Sequence, residues 1–268
     1  MSLKRSNWPE GQVVTLEHVS GVLRDNPLGD PHVRKLHVWL PPQYHAASPR
    51  RRFPVLFDLA GFMGSGPAHL AWRGFEENVP ERLARLVHQK RMKPAIVVFP
   101  DCFTAMGGNQ YINSSAIGRY ADYLTAELIP AVDREFRTRA GRDSRGCFGK
   151  SSGGYGAIVH AMKYAGHWGA VANHSGDAYF DFLYRADWPN TLNELAKYRR
   201  PARKAGRYDS AKASAALKPG LDDGRVRRFL ERVWKTDRPS HHESMCLMNL
   251  AMAASYDQEA KDAQAKVA

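Results

Sequence analysis

At 268 residues, 43% of them hydrophobic and 25% charged, the chain is long enough for one large domain with a sizeable core, and no Gly/Ser- or Pro-rich linker or internal repeat divides it. A net charge of +12 would suit an acidic partner. The basic residues, however, stand in short clusters at 49–53 (PRRRF), 137–145 (RTRAGRDSR) and 197–207 (KYRRPARKAGR) without interleaved aromatics, which reads as a solvated surface with no nucleic-acid site.

The N-terminus MSLKRSNWPEGQ has no apolar h-region behind its basic residues, and nowhere do 18 uncharged apolar residues run together. The expectation is a soluble, cytoplasmic protein without a membrane partner. Three cysteines, Cys102, Cys147 and Cys246, lack a CxxC pair and read as buried, reduced thiols; this argues against a disulfide framework or structural zinc.

In chain order, 12–18 (QVVTLEH) and 33–40 (VRKLHVWL) read as strands, the second closed by Pro41 and Pro42, which cannot donate to a ladder. The short apolar runs 53–60 and 94–99 suit strands buried on both faces of a parallel sheet. Between them 78–90 has helical spacing, and 116–136 a longer helical pattern with a break or kink expected at Pro130. A short strand at 144–149 leads into SGGYGAIVHAMKY, where Tyr155, Ile158, Val159 and Met162 fall on one apolar helical face. Another strand follows at 169–175 (GAVANHS). Alternating strands and helices predict an α/β fold with a largely parallel sheet.

Beyond Gly176 the pattern turns helical. Val226, Phe229, Leu230, Val233 and Trp234 form one stripe, and HESMCLMNLAMAAS reads as a buried helix whose Met245, Met248 and Met252 fill gaps in a core. The expected layout is a single domain with a core over about 12–180, a helical cap or insertion over about 181–255 and a polar tail over 256–268.

The stretch GCFGKSSGGYG (146–156) admits two chemistries. A phosphate loop needs glycine five residues before Gly149, where Ser144 stands, and it should join a first strand to a first helix. A nucleophile elbow, G-x-S-x-G, needs a strand before it, a helix after it and small residues two positions either side of the serine, which Gly149 and Gly153 supply around Ser151. The elbow reading wins. It sets Ser151 Oγ at the N-terminus of a helix, where the Ser152 N–H is free to hold developing negative charge. A second such donor usually lies on the loop after the third strand, here Phe62 N–H after Gly61 in LFDLAGFMGSG. No HxxxH or HExxH occurs, so no metal or other cofactor is expected.

These segments resemble the putative-esterase family of α/β-hydrolases, which includes S-formylglutathione hydrolases, feruloyl esterases, enterochelin esterases and the antigen 85 mycolyltransferases. The likeness rests on FPVLFDLAGF, the run 99–138, GKSSGGYGAI and GAVANHSGD, and covers roughly residues 33–180. It implies an α/β-hydrolase fold, mainly parallel with helices on both faces of the sheet, and hydrolysis of a small-molecule carboxylic ester through an acyl-enzyme on Ser151. The oxyanion amides would be those of Ser152 and Phe62. The family's frequent His-Gly or Asp-Gly after the third strand is Ala60-Gly61 here, and its usual Met after the nucleophile is Ser152; neither change removes a backbone donor.

The C-terminal part departs from the family pattern. The family continues with two more strands, one ending in a catalytic acid and the other in the histidine, whereas no such strands are legible after Ser175 and no histidine follows His242. Removing the histidine of a serine hydrolase lowers turnover about 10⁶-fold, so three readings follow. The chain is a truncated esterase; or Asp177 serves as acid with His241 or His242 as base, preserving the order Ser…Asp…His; or the protein binds without catalysis. Adjacent histidines at a helix start also suit exposed or capping positions. Acyl transfer to an alcohol would use the same residues as hydrolysis, Tyr111 and Asn113 either line the pocket or pack the loop, and a homodimer is a further expectation.

Overall fold

The computed structural model describes residues 7–199 and 224–265, with side chains to residue 256. Most of the basic cluster at 197–207 and the side chains of all but the first residue of the expected polar tail lie outside the described residues. The chain forms two compact units, Met1–Ala178 with Met252–Ala268, and Tyr179–Ala251.

The first unit is built on strands β1 (Gln12–Val19), β2 (Val33–Leu40), β3 (Val55–Leu59), β4 (Ile96–Phe99), β7 (Arg145–Lys150) and β8 (Ala170–His174), in the order β1-β2-β4-β3-β7-β8. The pairs β3–β4, β3–β7 and β7–β8 are parallel, while β1–β2 and β2–β4 are antiparallel. A two-residue ladder, β5 (Asn113–Ser114) with β6 (Gly118–Arg119), stands apart. From β3 the chain moves to β4 on one side and later to β7 on the other. The crevice at the carboxyl ends of these strands is therefore a topological switch point, where open α/β sheets place their sites.

Strand alternation sorts side chains into two layers. Val55, Phe57 and Leu59 of β3 join Ile96 and Val98 of β4 in one buried cluster. Val97 and Phe99 join Trp39 and α2 (Val79–His88) in the other, α1 being the single turn Gln43–Ala46 after β2. This two-sided burial accounts for the near-continuous apolar runs of β3 and β4. Helix α2 begins with a capping box, Asn78 Oδ1 accepting from Glu81 N–H and Glu81 Oε2 from Asn78 N–H, which satisfies two of the donors a helix start leaves open.

Two sequence expectations are corrected in this unit. The break at Pro130 is absorbed without interrupting the helical path: α3 (Tyr120–Asp122) runs into a π-helical segment, Tyr123–Leu128, and then α4 (Ile129–Glu135). Proline has no N–H to offer the carbonyl four residues back, and Ile129 N–H instead bonds to Leu124 O, five residues back. In α5 (Ser152–Lys163), Met162 is 68% exposed, and the buried face runs through Ser152, Gly153, Gly154, Gly156, Ala157, Val159 and His160. The helix lies so close to the sheet that glycine and alanine, not large apolar side chains, occupy much of the contact.

The second unit contains α6 (Phe180–Leu183), α7 (Trp188–Ala196) and a helix at Arg225–Val233. Leu195, Phe229, Val233 and Cys246 form its core, with Val226 and Leu230 packed against them. Trp234, expected on that stripe, is exposed: it is the C-cap, one residue past the buried Val233 that ends the helix. The last described helix, His241–Ala265, begins in this unit. Met245 and Met248 are half-buried and Met252 is buried. Cys102, Cys147 and Cys246 are free and buried; burial pushes the thiols of Cys147 and Cys246 up to about 12. Among the described residues, no helix is long and apolar enough to cross a membrane.

Candidate active site

Ser151 sits at the tip of the turn from β7 into α5 with φ 56° and ψ −123°, a backbone region that a non-glycine residue occupies only when its surroundings force it. Those surroundings are visible. Ser151 N–H donates to His174 O at the end of β8 (3.2 Å), and Ser151 O accepts from Tyr155 N–H (2.9 Å). The glycine two residues on is sterically obligatory, since a Cβ on Gly153 would lie 1.8 Å from Leu59 O. The turn thus holds the serine above the sheet and lets the helix start against β3.

The loop after β3 reaches the same point. A Cβ on Gly61 would lie 3.6 Å from Ser151 Cβ, so the backbone that carries Phe62 passes directly beside the serine. Phe62 O accepts from Gly108 N–H (2.7 Å), and Tyr111 OH donates to Ala60 O (2.7 Å). Among the described residues, Phe62 N–H makes no hydrogen bond. Ser152, the first residue of α5, has no intrahelical acceptor for its own N–H. Two backbone donors, at Ser152 and Phe62, therefore flank Ser151 on elements fixed by the sheet.

Tyr111 and Asn113 belong to the frame. Tyr111 is buried with φ 59°, and burial raises its phenol well above the ordinary value. Its carbonyl accepts from His160 Nε2–H (2.8 Å), while His160 Nδ1 accepts from Trp168 Nε1–H (3.0 Å). A carbonyl only accepts and an indole N–H only donates, so these partners fix His160 as the neutral Nε2–H tautomer. Desolvation lowers its pKa to about 4. Asn113 Oδ1 accepts from Asp122 N–H (3.2 Å), which serves α3.

Asp177 is brought to the serine, though not in the manner the sequence suggested. An acid that orients an imidazole would stand behind that ring, whereas Asp177 Oδ1 accepts from Ser151 Oγ itself (3.3 Å). Its Oδ2 accepts from Ser152 Oγ (3.1 Å) and from Gln110 Nε2 (3.1 Å), and Gln110 Nε2 also donates to Ser152 Oγ (2.8 Å). The carboxylate is thereby held by three donors from two segments, the turn of Ser151 and Ser152 and the loop of Gln110. Gln110, almost fully buried, was missed in the sequence. Its only signal was a place in GGNQY, where a lone amide carries no periodicity.

His241 and His242 lie in the first turn of the helix His241–Ala265, both exposed, with ring centroids 5.9 Å apart. Ser240 caps that helix, its Oγ accepting from Glu243 N–H (3.2 Å) while Glu243 Oε2 accepts from Ser240 N–H (2.8 Å). Their surroundings are those of helix-start residues. Among the described residues of the first unit, no imidazole hydrogen-bonds Ser151. No group of three or more His, Cys, Asp or Glu side chains suited to a metal ion occurs among the described residues.

Residues 31–248 match the family model described as Esterase, "Putative esterase". Esterase MT1326 and Esterase Rv1288, both of Mycobacterium tuberculosis, are 32% identical to the chain over 163 residues, 58% of this chain and 32% of each relative. The match thus spans about a third of the length of these curated relatives. A solved ferulic acid esterase is 26% identical with a TM-score of 0.53, covering 63% of this chain and 61% of its own. A feruloyl esterase module from Clostridium thermocellum, solved with sinapinate, is 17% identical with a TM-score of 0.51, covering 80% of this chain and 75% of its own, and shares the fold. With a mainly parallel α/β sheet of the α/β-hydrolase type and a family match across most of its residues, the chain belongs to the putative esterase family.

Proposed function

We propose that the chain is a serine carboxylesterase. Ser151 Oγ attacks the ester carbonyl, and the negative charge that develops on the carbonyl oxygen is held by the N–H groups of Ser152 and Phe62. The proton of the Ser151 hydroxyl passes by way of the base to the alkoxide, which leaves as the alcohol; water then attacks the acyl-enzyme, giving one proton through the same base back to Ser151 Oγ as the acid is released. Asp177 is the carboxylate of the site, since it accepts the Ser151 hydroxyl, and His241 and His242 remain the candidates for the base.

The observation that carries this reading is the strained Ser151 at a strand-to-helix turn, with the Gly61–Phe62 backbone beside it. Esters of ferulic acid are the first substrates to try, given the likeness to a ferulic acid esterase. The test is hydrolysis of p-nitrophenyl acetate and labelling by a fluorophosphonate. Ser151→Ala abolishes both if the reading is right; unchanged hydrolysis in that variant refutes it.

A second reading has its own support. No imidazole reaches Ser151 among the described residues of the first unit, as expected of a protein that keeps the pocket and lacks the proton relay. Failure of the unaltered protein both to label and to hydrolyse would select this reading. Partition of product between acid and a new ester, measured with added alcohol or sugar acceptors, distinguishes hydrolysis from acyl transfer.

A further inference from the structure

Asp58 is the one ionisable residue of β3, and its side chain is only 3% exposed. A buried carboxylate is costly unless it is paired and hydrogen-bonded. Its partner is His69, whose Nδ1–H donates to Asp58 Oδ2 at 2.6 Å. His69 lies on the 3-10 turn Gly66–Leu70 and keeps a third of its side chain in solvent.

The chain between the two partners is the loop that carries Gly61 and Phe62. Other bonds tie that loop to the segment after β4: Ser65 Oγ donates to Asp101 Oδ1 (2.8 Å) and Gly66 N–H to Pro100 O (3.1 Å). The His69–Asp58 pair instead ties the far end of the loop back to the strand from which it springs. It closes the loop on itself, as a clasp closes a strap.

We propose that His69 is a positioning residue: its hydrogen bond to buried Asp58 fixes the loop that presents Phe62 N–H to the carbonyl oxygen of an ester on Ser151. This rests on the esterase reading for the identity of the ligand, whereas the holding of the loop does not. The pair is well suited to the task. A charge-assisted bond to a carboxylate is shorter and about twice as strong as a neutral one. Its partner sits on a strand paired on both sides, with β4 and with β7. The side chain that moves with the loop is bonded to one that cannot move with it. The hydrogen bond of His69 with Asp58 also raises its pKa above the ordinary value, with Arg73 the opposing charge.

The experiment compares the full chain with His69→Ala and His69→Asn, the latter placing an amide N–H near the position of Nδ1. Two quantities are read: amide hydrogen exchange at Gly64, Gly66 and Gly108, whose N–H groups donate to Gly61 O, Pro100 O and Phe62 O, and the rate of fluorophosphonate labelling of Ser151. His69→Ala is expected to speed exchange at these three amides at least tenfold and to slow labelling at least tenfold. His69→Asn is expected to bring both back to within about threefold of the unaltered protein. Should His69→Ala fail to fold, His69→Leu, of similar bulk and without a donor, takes its place.

Unchanged exchange in the Ala or Leu variant overturns the proposal, as does exchange that is equally fast in the Asn variant. Released exchange with labelling at the normal rate overturns the positioning role. Ser151→Ala separates the two readings, since it removes labelling and leaves exchange at the loop amides as it was. If the unaltered protein does not label, the esterase reading fails, and exchange with its rescue by Asn still decides whether the pair holds the loop.

Discussion

His160 offers a quantitative test of how the frame behind the site is held. It is buried and neutral, donating to Tyr111 O and accepting from Trp168, and protonating it would set two donors against each other at Nδ1. Its folded pKa is lowered to about 4 from 6.5. The unfolded chain therefore binds a proton that the folded protein refuses, and stability falls as pH drops through the window from 6.5 to 4. At 1.36 kcal/mol per pKa unit, this one group costs about 2 kcal/mol by pH 5 and about 3 kcal/mol at the limit. Total stabilities of about 5–15 kcal/mol make such a loss easy to measure.

The assay is urea unfolding followed by circular dichroism at intervals from pH 7 to pH 5, for the unaltered protein and for His160→Gln. Glutamine does not titrate. The stability advantage of the unaltered protein over the variant should shrink by about 2 kcal/mol across that interval. His69 acts in the opposite direction: its raised pKa gives stability that is full below 6.5 and is lost as pH rises through the raised value. That contribution is common to both proteins and cancels in the difference. Parallel stability curves between pH 7 and pH 5 would refute the reasoning.

Three further outcomes follow from the same geometry. Gly153→Ala forces a methyl group to within 1.8 Å of Leu59 O, and backbone cannot yield as a side chain can; a loss of about 3 kcal/mol or more, or failure to express folded protein, is expected in thermal unfolding. Tyr111→Phe removes the hydroxyl from Ala60 O and should cost about 1 kcal/mol in urea unfolding. Asp177→Asn sets an amide against Gln110 Nε2 and weakens the acceptor on Ser151; fluorophosphonate labelling should slow at least tenfold, with a stability loss of about 1–3 kcal/mol.

Much of the fold was legible because its signals are local. β2 could be bounded from sequence, since Pro41 and Pro42 end the ladder immediately after Leu40. β3 and β4 announced their two-sided burial as short apolar runs. The elbow was legible because steric need writes itself as Gly149 and Gly153 around Ser151. What failed were inferences from hydrophobicity where contact is made by absence of bulk. Much of the buried face of α5 is glycine and alanine, so a search for large apolar side chains chose Met162, which is exposed.

Polar contacts across the sheet were equally invisible. Gln110, His160 and the His69–Asp58 pair each connect segments with no shared periodicity. Asp177 is legible because it follows a strand end; chain order suggests an imidazole beside it, and the structure puts its carboxylate on the hydroxyl of Ser151. His241 and His242 show the converse. Their order along the chain fitted a base, while their immediate setting is the first turn of a capped helix.

The backbone of Ser151 has a consequence for anyone who would engineer this scaffold. A residue held at φ 56°, ψ −123° carries about 1–3 kcal/mol of conformational strain, and glycine is the residue that relieves it. Heat tolerance and the placement of the hydroxyl are thus opposed at a single position. A library selected for thermal survival alone would be drawn toward replacing the serine, and, on the proposed esterase reading, its most robust members would be those least able to attack an ester.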